Sequence, residues 1–407
     1  MKCRHCRAEL RHDFIDLGFA PPSNAYLTAA DLARPETYFP LRVKVCDRCW
    51  LVQTEDHARA DTLFDNSYAY FSSTSRTWLD HARRYSAQAI AKLGLGPRSQ
   101  VTEIASNDGY LLRNFVAAGI PCLGIEPTAS TADAAEALGI PVLRQFFGEA
   151  LGRQLAAQGR AADLVIGNNV YAHVPDINDF TRGLAALVKP EGVITLEFPH
   201  LLRLIEGSQF DTIYHEHFSY LSLGVVARIF AANDLRIWDV EELPTHGGSL
   251  RVYGCRIAAS REKAPSVTAL LAREDEAGLT DLRIYAGFQS RAERIKDDLL
   301  SFLIAQKRTG RRVAAYGAAA KGNTLLNFAG VKPDLIAYVC DAAVAKQGKY
   351  LPGSHIPIHP PAKMREDRPD CVLILPWNIA DEVVAQVTDL TGGGMTFATA
   401  VPELRIL

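Results

Sequence analysis

The 407-residue chain has no run near the roughly 18 consecutive apolar residues of a membrane-spanning helix, so no membrane association is expected. Charge of one sign is also missing. Lys and Arg number 44 against 46 Asp and Glu, a formal net charge of -2. With no basic footprint and no acidic tail, nucleic acid is not expected as a partner. Cysteine is sparse, at 8 residues, too few in so long a chain for a disulfide scaffold. The N-terminal Met1-Lys2-Cys3-Arg4-His5-Cys6 lacks the apolar stretch of a secretory signal, and a reduced cytoplasm is the expected location. There is no tandem repeat and no low-complexity segment, and neither the GxGxxG dinucleotide fingerprint nor a GK[ST] phosphate-loop ending occurs. What remains is a globular composition, 48% hydrophobic and 22% charged, long enough for two or three domains.

The few cysteines are not scattered evenly. Cys3-x-x-Cys6 and Cys46-x-x-Cys49 form two knuckles, each able to bring two thiolates to one ion, and four soft sulfur ligands favour tetrahedral zinc. A redox function would need only one such pair. Four protein ligands leave no position open for substrate, so the expected zinc is structural and holds about fifty residues too few for a large core. Cys122, Cys255, Cys340 and Cys371 sit singly in apolar runs as packed thiols.

An amphipathic helix is expected from Trp78 to Leu93, ended by Gly94-Leu95-Gly96-Pro97. Strand and helix signals then alternate: Gln100–Ile104, Tyr110–Ala118, Pro121–Glu126, Thr131–Leu138, Asp163–Gly167, Ile177–Leu187 and a strand ending at Phe198. Such alternation implies an α/β fold with a mostly parallel, doubly wound sheet. Ligands bind beyond the carboxyl ends of its strands. The loops there carry polar residues: Glu103-Ile104-Ala105-Ser106-Asn107-Asp108-Gly109, Glu126-Pro127, and Asn168-Asn169 followed by His173. One glycine among small polar neighbours suits a cofactor without a pyrophosphate, and Glu126 is placed to accept from a ribose diol. A lone His173 would more often be structural; its company at this sheet edge points to function.

Tyr214-His215-Glu216-His217 puts four proton donors or acceptors into consecutive positions. The histidines are two apart, not the four of a zinc-protease helix. On an extended segment, His215 and His217 would face one side and Tyr214 and Glu216 the other. His215 is expected to hold the loop to the sheet.

Together these residues carry a resemblance. Glu103 to Gly109 and Glu126 resemble the first motif and ribose acid of class I S-adenosylmethionine-dependent methyltransferases. With the four N-terminal cysteines, the Asn107-Asp108-Gly109 turn, Asn168-Asn169, His173 and the Tyr-His-Glu-His run, the whole chain resembles the sugar C-methyltransferases. These methylate nucleotide-linked 4-keto-deoxysugars beside the ketone. The resemblance implies S-adenosylmethionine as cofactor, held by Glu103, Ser106, Asn107, Asp108, Gly109, Glu126, Pro127, Asn168 and Asn169. It implies His217 as the base, with Tyr214 and Glu216 at the same site and His173 facing the sugar. Neutral imidazole suits abstraction of the proton alpha to a ketone near pH 7, and Tyr214 is placed to steady the enolate oxygen. In the segment Asn66 to Ser75, aromatics and hydroxyls suit a base and sugar, or a helix cap. There the resemblance carries Tyr68, Tyr70 and Ser72 to the substrate.

Further on, strands are expected at Leu235–Leu243 and Leu250–Arg256, completing the sheet as an antiparallel pair. Val267 to Arg308 reads as helix, either bridging two domains or layered on both. A second alternating unit begins at Arg312–Tyr316, followed by Gly317 to Thr324, a strand at Leu335–Asp341, and another at Val372–Leu375 before Pro376-Trp377-Asn378. A helix N-terminus with Lys321 suits a diphosphate, although tight helix packing explains the small residues equally well. The resemblance makes this a Rossmann-like domain closing over the nucleotide sugar, with Lys321 and Asn323 as contacts. The expected divisions are a zinc module over 1–65, a class I methyltransferase domain over 66–258, and bridging helices with the Rossmann-like α/β domain over 259–407. A monomer is compatible with these features. Competing readings are a methyltransferase acting on another ketone or an oxygen acceptor, and a cofactor-fold binder without turnover.

Overall fold

The computed structural model describes every residue except 58–70, 75, 392 and 393. Strands β1 (His12–Ala20), β2 (Phe39–Val45) and β3 (Val52–Thr54) form an antiparallel sheet. In β2, Leu41, Val43 and Val45 alternate inward, the period that buries one face of a strand. The sheet's fourth strand comes from mid-chain, Ser219–Tyr220, where Val52 pairs with Tyr220 and Gln53 with Ser219.

After helix Arg76–Leu93 come β4 (Val101–Ile104), β5 (Cys122–Ile125), β6 (Val142–Leu143), β7 (Ala162–Asn168) and β8 (Val188–Pro199). Then follow β9 (Ser219–Tyr220), which belongs to the first sheet, β10 (Leu235–Leu243) and β11 (Ser249–Arg256). The seven-stranded order is β10-β11-β8-β7-β4-β5-β6, with β4 through β8 parallel and β11 antiparallel to both neighbours. Leu164, Val165 and Ile166 of β7 are all fully buried, as befits a central parallel strand covered on both faces. Helix Ile177–Leu187 starts where the Asp176 carboxylate accepts from the backbone N–H groups of Asn178 (3.1 Å) and Asp179 (2.9 Å). It buries Ile177, Phe180, Leu184 and Leu187 on one stripe, each side chain stabilising by about 1.5–3 kcal/mol. Because β4 lies between β5 and β7, the strand order reverses there, and the loops after β4, β5 and β7 share one edge.

Helices Pro265–Glu276, Leu282–Ala286 and Phe288–Arg308 lead to the third sheet. Its strands are β12 (Val313–Tyr316), β13 (Val339–Cys340), β14 (Ile358–His359), β15 (Cys371–Ile374), β16 (Thr396–Thr399) and β17 (Arg405–Ile406), in the order β14-β13-β12-β15-β16-β17. Only the last pair is antiparallel. The strand expected over Leu335–Asp341 shrinks to β13, because Pro333 to Leu335 form a turn. This sheet switches between β12 and β15, where Gly317 adopts φ 89° and a Cβ would lie 2.5 Å from the Pro376 ring.

The cores do not follow the sequence divisions. One cluster runs from Phe14 and Leu41 through Phe210 and Phe288 to Leu326 and Ile358. Helix Phe288–Arg308 therefore does more than bridge: it packs against β1, β12 and helix Ala320–Ala329, with Phe288 stacked on Phe14 at 4.4 Å. Helix Pro265–Glu276 packs instead on β10, and its buried Glu274 accepts from His200 Nε2 (2.7 Å) and the Leu223 N–H (2.6 Å).

Candidate active site

A cavity of about 1140 Å³ opens where the three sheets meet. Its wall takes Arg4 and Asn24 from the zinc module, the loops after β4, β5 and β7, the 212–218 segment, and Lys321 and Asn378 from the third sheet's switch point. Both topological switch points thus face one space.

At one end, the Glu126 carboxylate accepts from the backbone N–H of Asn107 (3.0 Å) and Thr128 (2.9 Å), leaving lone pairs toward the cavity for hydroxyl donors. Pro127, Asn168 and Asn169 line the same end. The Asn168 amide oxygen and nitrogen are buried without a partner among the described residues, a polar pair that fits a polar ligand. Ala105, Asn107 and Asn169 hold φ of 55°, 50° and 53°, a left-handed geometry costing about 1–2 kcal/mol for a residue with a Cβ. Backbone strain gathered at strand ends marks a built site.

Four expected cofactor contacts lie behind this wall. Glu103 is fully buried beneath the loop, its carboxyl raised well above the usual range by burial and then by Asp108 and Glu126. Ser106 packs against β5, where a Cβ on Gly124 would lie 2.5 Å from its Oγ. Gly109 faces Ile140 rather than the cavity; a Cβ there would meet Ile140 at 2.5 Å. Asp108 accepts from the Ser73 N–H (3.0 Å), and Asn107 Oδ1 from the Ser72 N–H (3.0 Å). These two side chains hold the Ser72–Thr74 turn to the loop after β4, and Ser72 reaches the cavity wall. Tyr68 and Tyr70 lie outside the described residues. Gln145, Phe146 and Phe147 also line this end. Sequence signals miss them, because the two-residue β6 is too short to show a strand period.

At the other end, Tyr214 to His217 form a turn, closed by the His217 N–H to the Tyr214 carbonyl at 2.9 Å. This corrects the extended-strand geometry: a turn breaks the two-residue alternation, so Tyr214, Glu216 and His217 line the cavity together. His215 points away and packs on Phe39 at 5.9 Å. His217 Nδ1 lies 3.0 Å from the Thr212 carbonyl, which only accepts, so Nδ1 carries the proton and Nε2 the lone pair. Burial, and then His173, holds its imidazole well below the usual range, hence neutral at pH 7. Its ring meets Tyr214 at 4.0 Å and His173 edge-on at 4.6 Å. Burial likewise lowers His173 to about 4 against the opposing bond to the Glu216 carbonyl. Asn24 donates to both Glu216 oxygens, at 2.8 and 3.0 Å.

Across from these, the Lys321 ammonium donates to Asn378 Oδ1 (2.6 Å) and sits 4.7 Å over the Trp377 ring. Burial lowers its ordinary value, opposed by Asp211. Asn323, expected at the substrate, is instead fully buried and donates to the Ser23 carbonyl (2.6 Å), tying the zinc module to the third sheet. Trp78 and His246 complete the wall, their rings 5.3 Å apart.

The four cysteine sulfurs lie within 4.8 Å of one another. Cys3–Cys49 and Cys6–Cys46 are each 3.5 Å apart, far beyond the roughly 2.05 Å of a disulfide and suited to four sulfurs around one zinc ion. Each knuckle closes alike: Arg7 N–H to the Cys3 carbonyl (3.1 Å) and Trp50 N–H to the Cys46 carbonyl (2.9 Å), with positive φ at Arg7 and Trp50. Among the described residues, no helix is long and apolar enough to cross a membrane.

Three family models match the chain: a zinc binding domain over residues 3–64, a methyltransferase domain over 78–240 and a C-methyltransferase C-terminal domain over 244–402. The chain is 36% identical to the C-methyltransferase NovU of Streptomyces niveus over 406 residues, 100% of this chain and 96% of that protein. Among solved structures, the magnesium protoporphyrin IX methyltransferase ChlM of Synechocystis PCC 6803 with bound SAM is 16% identical, covering 44% of this chain and 81% of its own, at TM-score 0.33. An S-adenosylmethionine-dependent methyltransferase of Mesorhizobium loti is 14% identical, over 44% of this chain and 100% of its own, at TM-score 0.35. Matched along its whole length by NovU and by models for all three of its parts, the chain belongs to the C-methyltransferase family, as an S-adenosylmethionine-dependent enzyme with an N-terminal zinc-binding module.

Proposed function

We propose that the enzyme methylates the carbon alpha to the ketone, C-3, of a nucleotide-linked 4-keto-6-deoxysugar, with His217 as the base. One observation carries this reading: His217 is a buried, neutral imidazole whose Nδ1 proton is engaged by Thr212, leaving Nε2 as the proton-accepting nitrogen in the cavity. Nε2 takes the alpha proton, and the C–H electron pair moves toward the ketone, making an enolate. The Tyr214 hydroxyl donates to the enolate oxygen, and Glu216, held by Asn24, accepts from a sugar hydroxyl. When bound, S-adenosylmethionine would supply an electrophilic methyl group for the enolate carbon, the S–CH3 bond breaking with its electron pair returning to sulfur as a neutral thioether. Glu126, Asn168 and Asn169, which line the cavity, would hold the cofactor, the Glu126 carboxylate accepting from its ribose hydroxyls and the two amides meeting its polar end. Lys321, with Asn378 beside it, is the cationic group for a diphosphate at the opposite wall, which supports a nucleotide sugar over a smaller ketone. Tyr68, Tyr70 and Ser72 remain the proposed sugar contacts on the strength of the family resemblance.

The test is mass spectrometry of sugar nucleotides incubated with the purified enzyme and S-adenosylmethionine. A 4-keto-6-deoxysugar should gain one methylene, and His217→Ala should lower the rate by about 100-fold or more while still binding cofactor. Wild-type turnover in His217→Ala would remove the base assignment. No product across acceptors differing in base and sugar would move the substrate to another ketone.

A further inference from the structure

The zinc module is joined to the catalytic segment by more than chain connectivity. Immediately after His217 the chain enters the module's own sheet as β9, pairing with β3. Thr54, the last residue of β3, binds this junction twice: its hydroxyl donates to the His217 carbonyl (2.9 Å) and its N–H to the Phe218 carbonyl (3.2 Å). The Thr54 carbonyl in turn accepts from the Arg4 guanidinium (3.0 Å). Arg4 stands between Cys3 and Cys6, inside the first knuckle, and is 6% exposed. Its side chain also reaches the Pro175 carbonyl (3.2 Å), on the loop that carries His173, lies 4.9 Å over the Phe218 ring, and pairs with Asp56. Beside them, fully buried Gln53 accepts from the Arg4 N–H (2.9 Å) and donates to Cys3 Sγ (3.3 Å). Through Gln53, Arg4 and Thr54, a set of hydrogen bonds, buried except at the part-buried Pro175 contact, therefore runs from a cysteine of the cluster to the backbone of His217 and Phe218 and to the loop after His173.

We propose that Thr54 and Arg4 are positioning residues for methyl transfer, through which the four-cysteine cluster sets the place of His217 and of the His173 loop. Among the described residues, the His217 ring makes one hydrogen bond, to a carbonyl five residues upstream. Its backbone must be fixed from the other side for Nε2 to keep its aim, and Thr54 supplies that anchor. Arg4 fixes the facing loop from the same knuckle, so the spacing of the two imidazoles is set by one rigid body. Displacing a reacting group by about 1 Å from a distance costs on the order of 100-fold in rate. The zinc is thus expected to act on turnover without touching substrate.

The proposal rests on His217 as the base, so the test reads its placement separately from turnover. In protein labelled with 15N-histidine and carrying its zinc, the Nδ1–H signal of His217, protected by the Thr212 carbonyl, is expected in wild type. It should be lost or strongly broadened in Thr54→Val, and kcat should fall roughly 10- to 100-fold with little change in acceptor KM. Zinc content and S-adenosylmethionine affinity should be unchanged. Thr54→Ser, which keeps the hydroxyl, should restore both signal and kcat. Arg4→Met should lower kcat in the same way. An intact His217 signal in Thr54→Val, or failure of Thr54→Ser to restore it, would overturn the proposal. A lost signal with His217→Ala fully active would keep the positioning contact but remove the base assignment.

Discussion

Glu197 and Arg251 are cross-strand partners on β8 and β11, and both side chains are almost wholly shut off from water, at 0% and 2% exposed. The carboxylate accepts from Arg251 (2.9 Å) and Thr245 (3.3 Å), and His81 Nε2 lies 3.0 Å from it. Despite burial, these partners hold Glu197 below the usual carboxylate range, His81 and Arg251 outweighing desolvation. Replacing Glu197 with Leu leaves the guanidinium, among the described residues, facing Glu241 (3.1 Å), itself partly exposed, His81 Nε2 (3.3 Å) and the Tyr85 ring at 4.4 Å. Removing one member of a buried pair costs about 3–5 kcal/mol, whereas replacing both with apolar groups is often neutral. Against a typical total of about 5–15 kcal/mol, the single change should shift the urea midpoint strongly. Adding Arg251→Met should recover most of the loss. Glu197→Leu should also weaken S-adenosylmethionine binding, because displacing β8 at this position moves its backbone carbonyl, which the substitution keeps and which holds the Asn169 N–H at 2.7 Å at the end proposed for the cofactor. Urea unfolding of the two single variants and the double variant, with calorimetric cofactor titration, measures both effects. A single-variant cost under about 1 kcal/mol, or a double variant as unstable as the sum of the singles, would refute the assignment of a coupled buried ion pair.

Two further outcomes follow from buried titratable groups. Folding holds His173 and His246 down to about 4, both mainly by burial, against 6.5 for a free imidazole. The unfolded chain therefore binds protons first as pH falls. Stability is full above pH 6.5 and is lost toward pH 4, by about 1.4 kcal/mol per pH unit for each histidine at most. Urea midpoints at pH 7.5 and 5 should show that slope, and His173→Gln with His246→Gln should flatten it; an unchanged slope would contradict it. Asp211 behaves in the opposite sense, since burial raises it to about 6 while Trp377 Nε1 donates to it at 2.7 Å. Trp377→Phe removes that donor and should cost about 1–3 kcal/mol above pH 6, where the carboxylate is charged, and less at pH 5. Melting temperatures of the pair at pH 8 and 5 check this, and an equal loss at both would count against it.

The sequence by itself determined what spacing and period can carry. Cys-x-x-Cys brings two sulfurs to one point through the local chain alone, so the four-cysteine cluster was legible before any fold was known. Alternating apolar runs placed β4, β5, β7, β8, β10 and β11 and the polar loops at their ends, because strand and helix periods are local properties, whereas the two-residue β6 left no such signal. Only the tertiary structure decided which polar residues at those ends face the cavity. Glu103, Ser106, Asp108 and Gly109 turn behind it, the left-handed kinks at Ala105 and Asn107 re-aiming successive side chains of their loop, while Gln145 and Phe146 on the loop after β6 line it. The Tyr214–His217 run was visible as composition, yet its turn, which separates His215 from its neighbours, comes from packing against Phe39 and Thr212. Nor does any local pattern mark Asn24, 192 residues from Glu216, or Thr54, 163 residues from His217. Such contacts form only when separate sheets pack into one core, and distance along the chain holds no record of them.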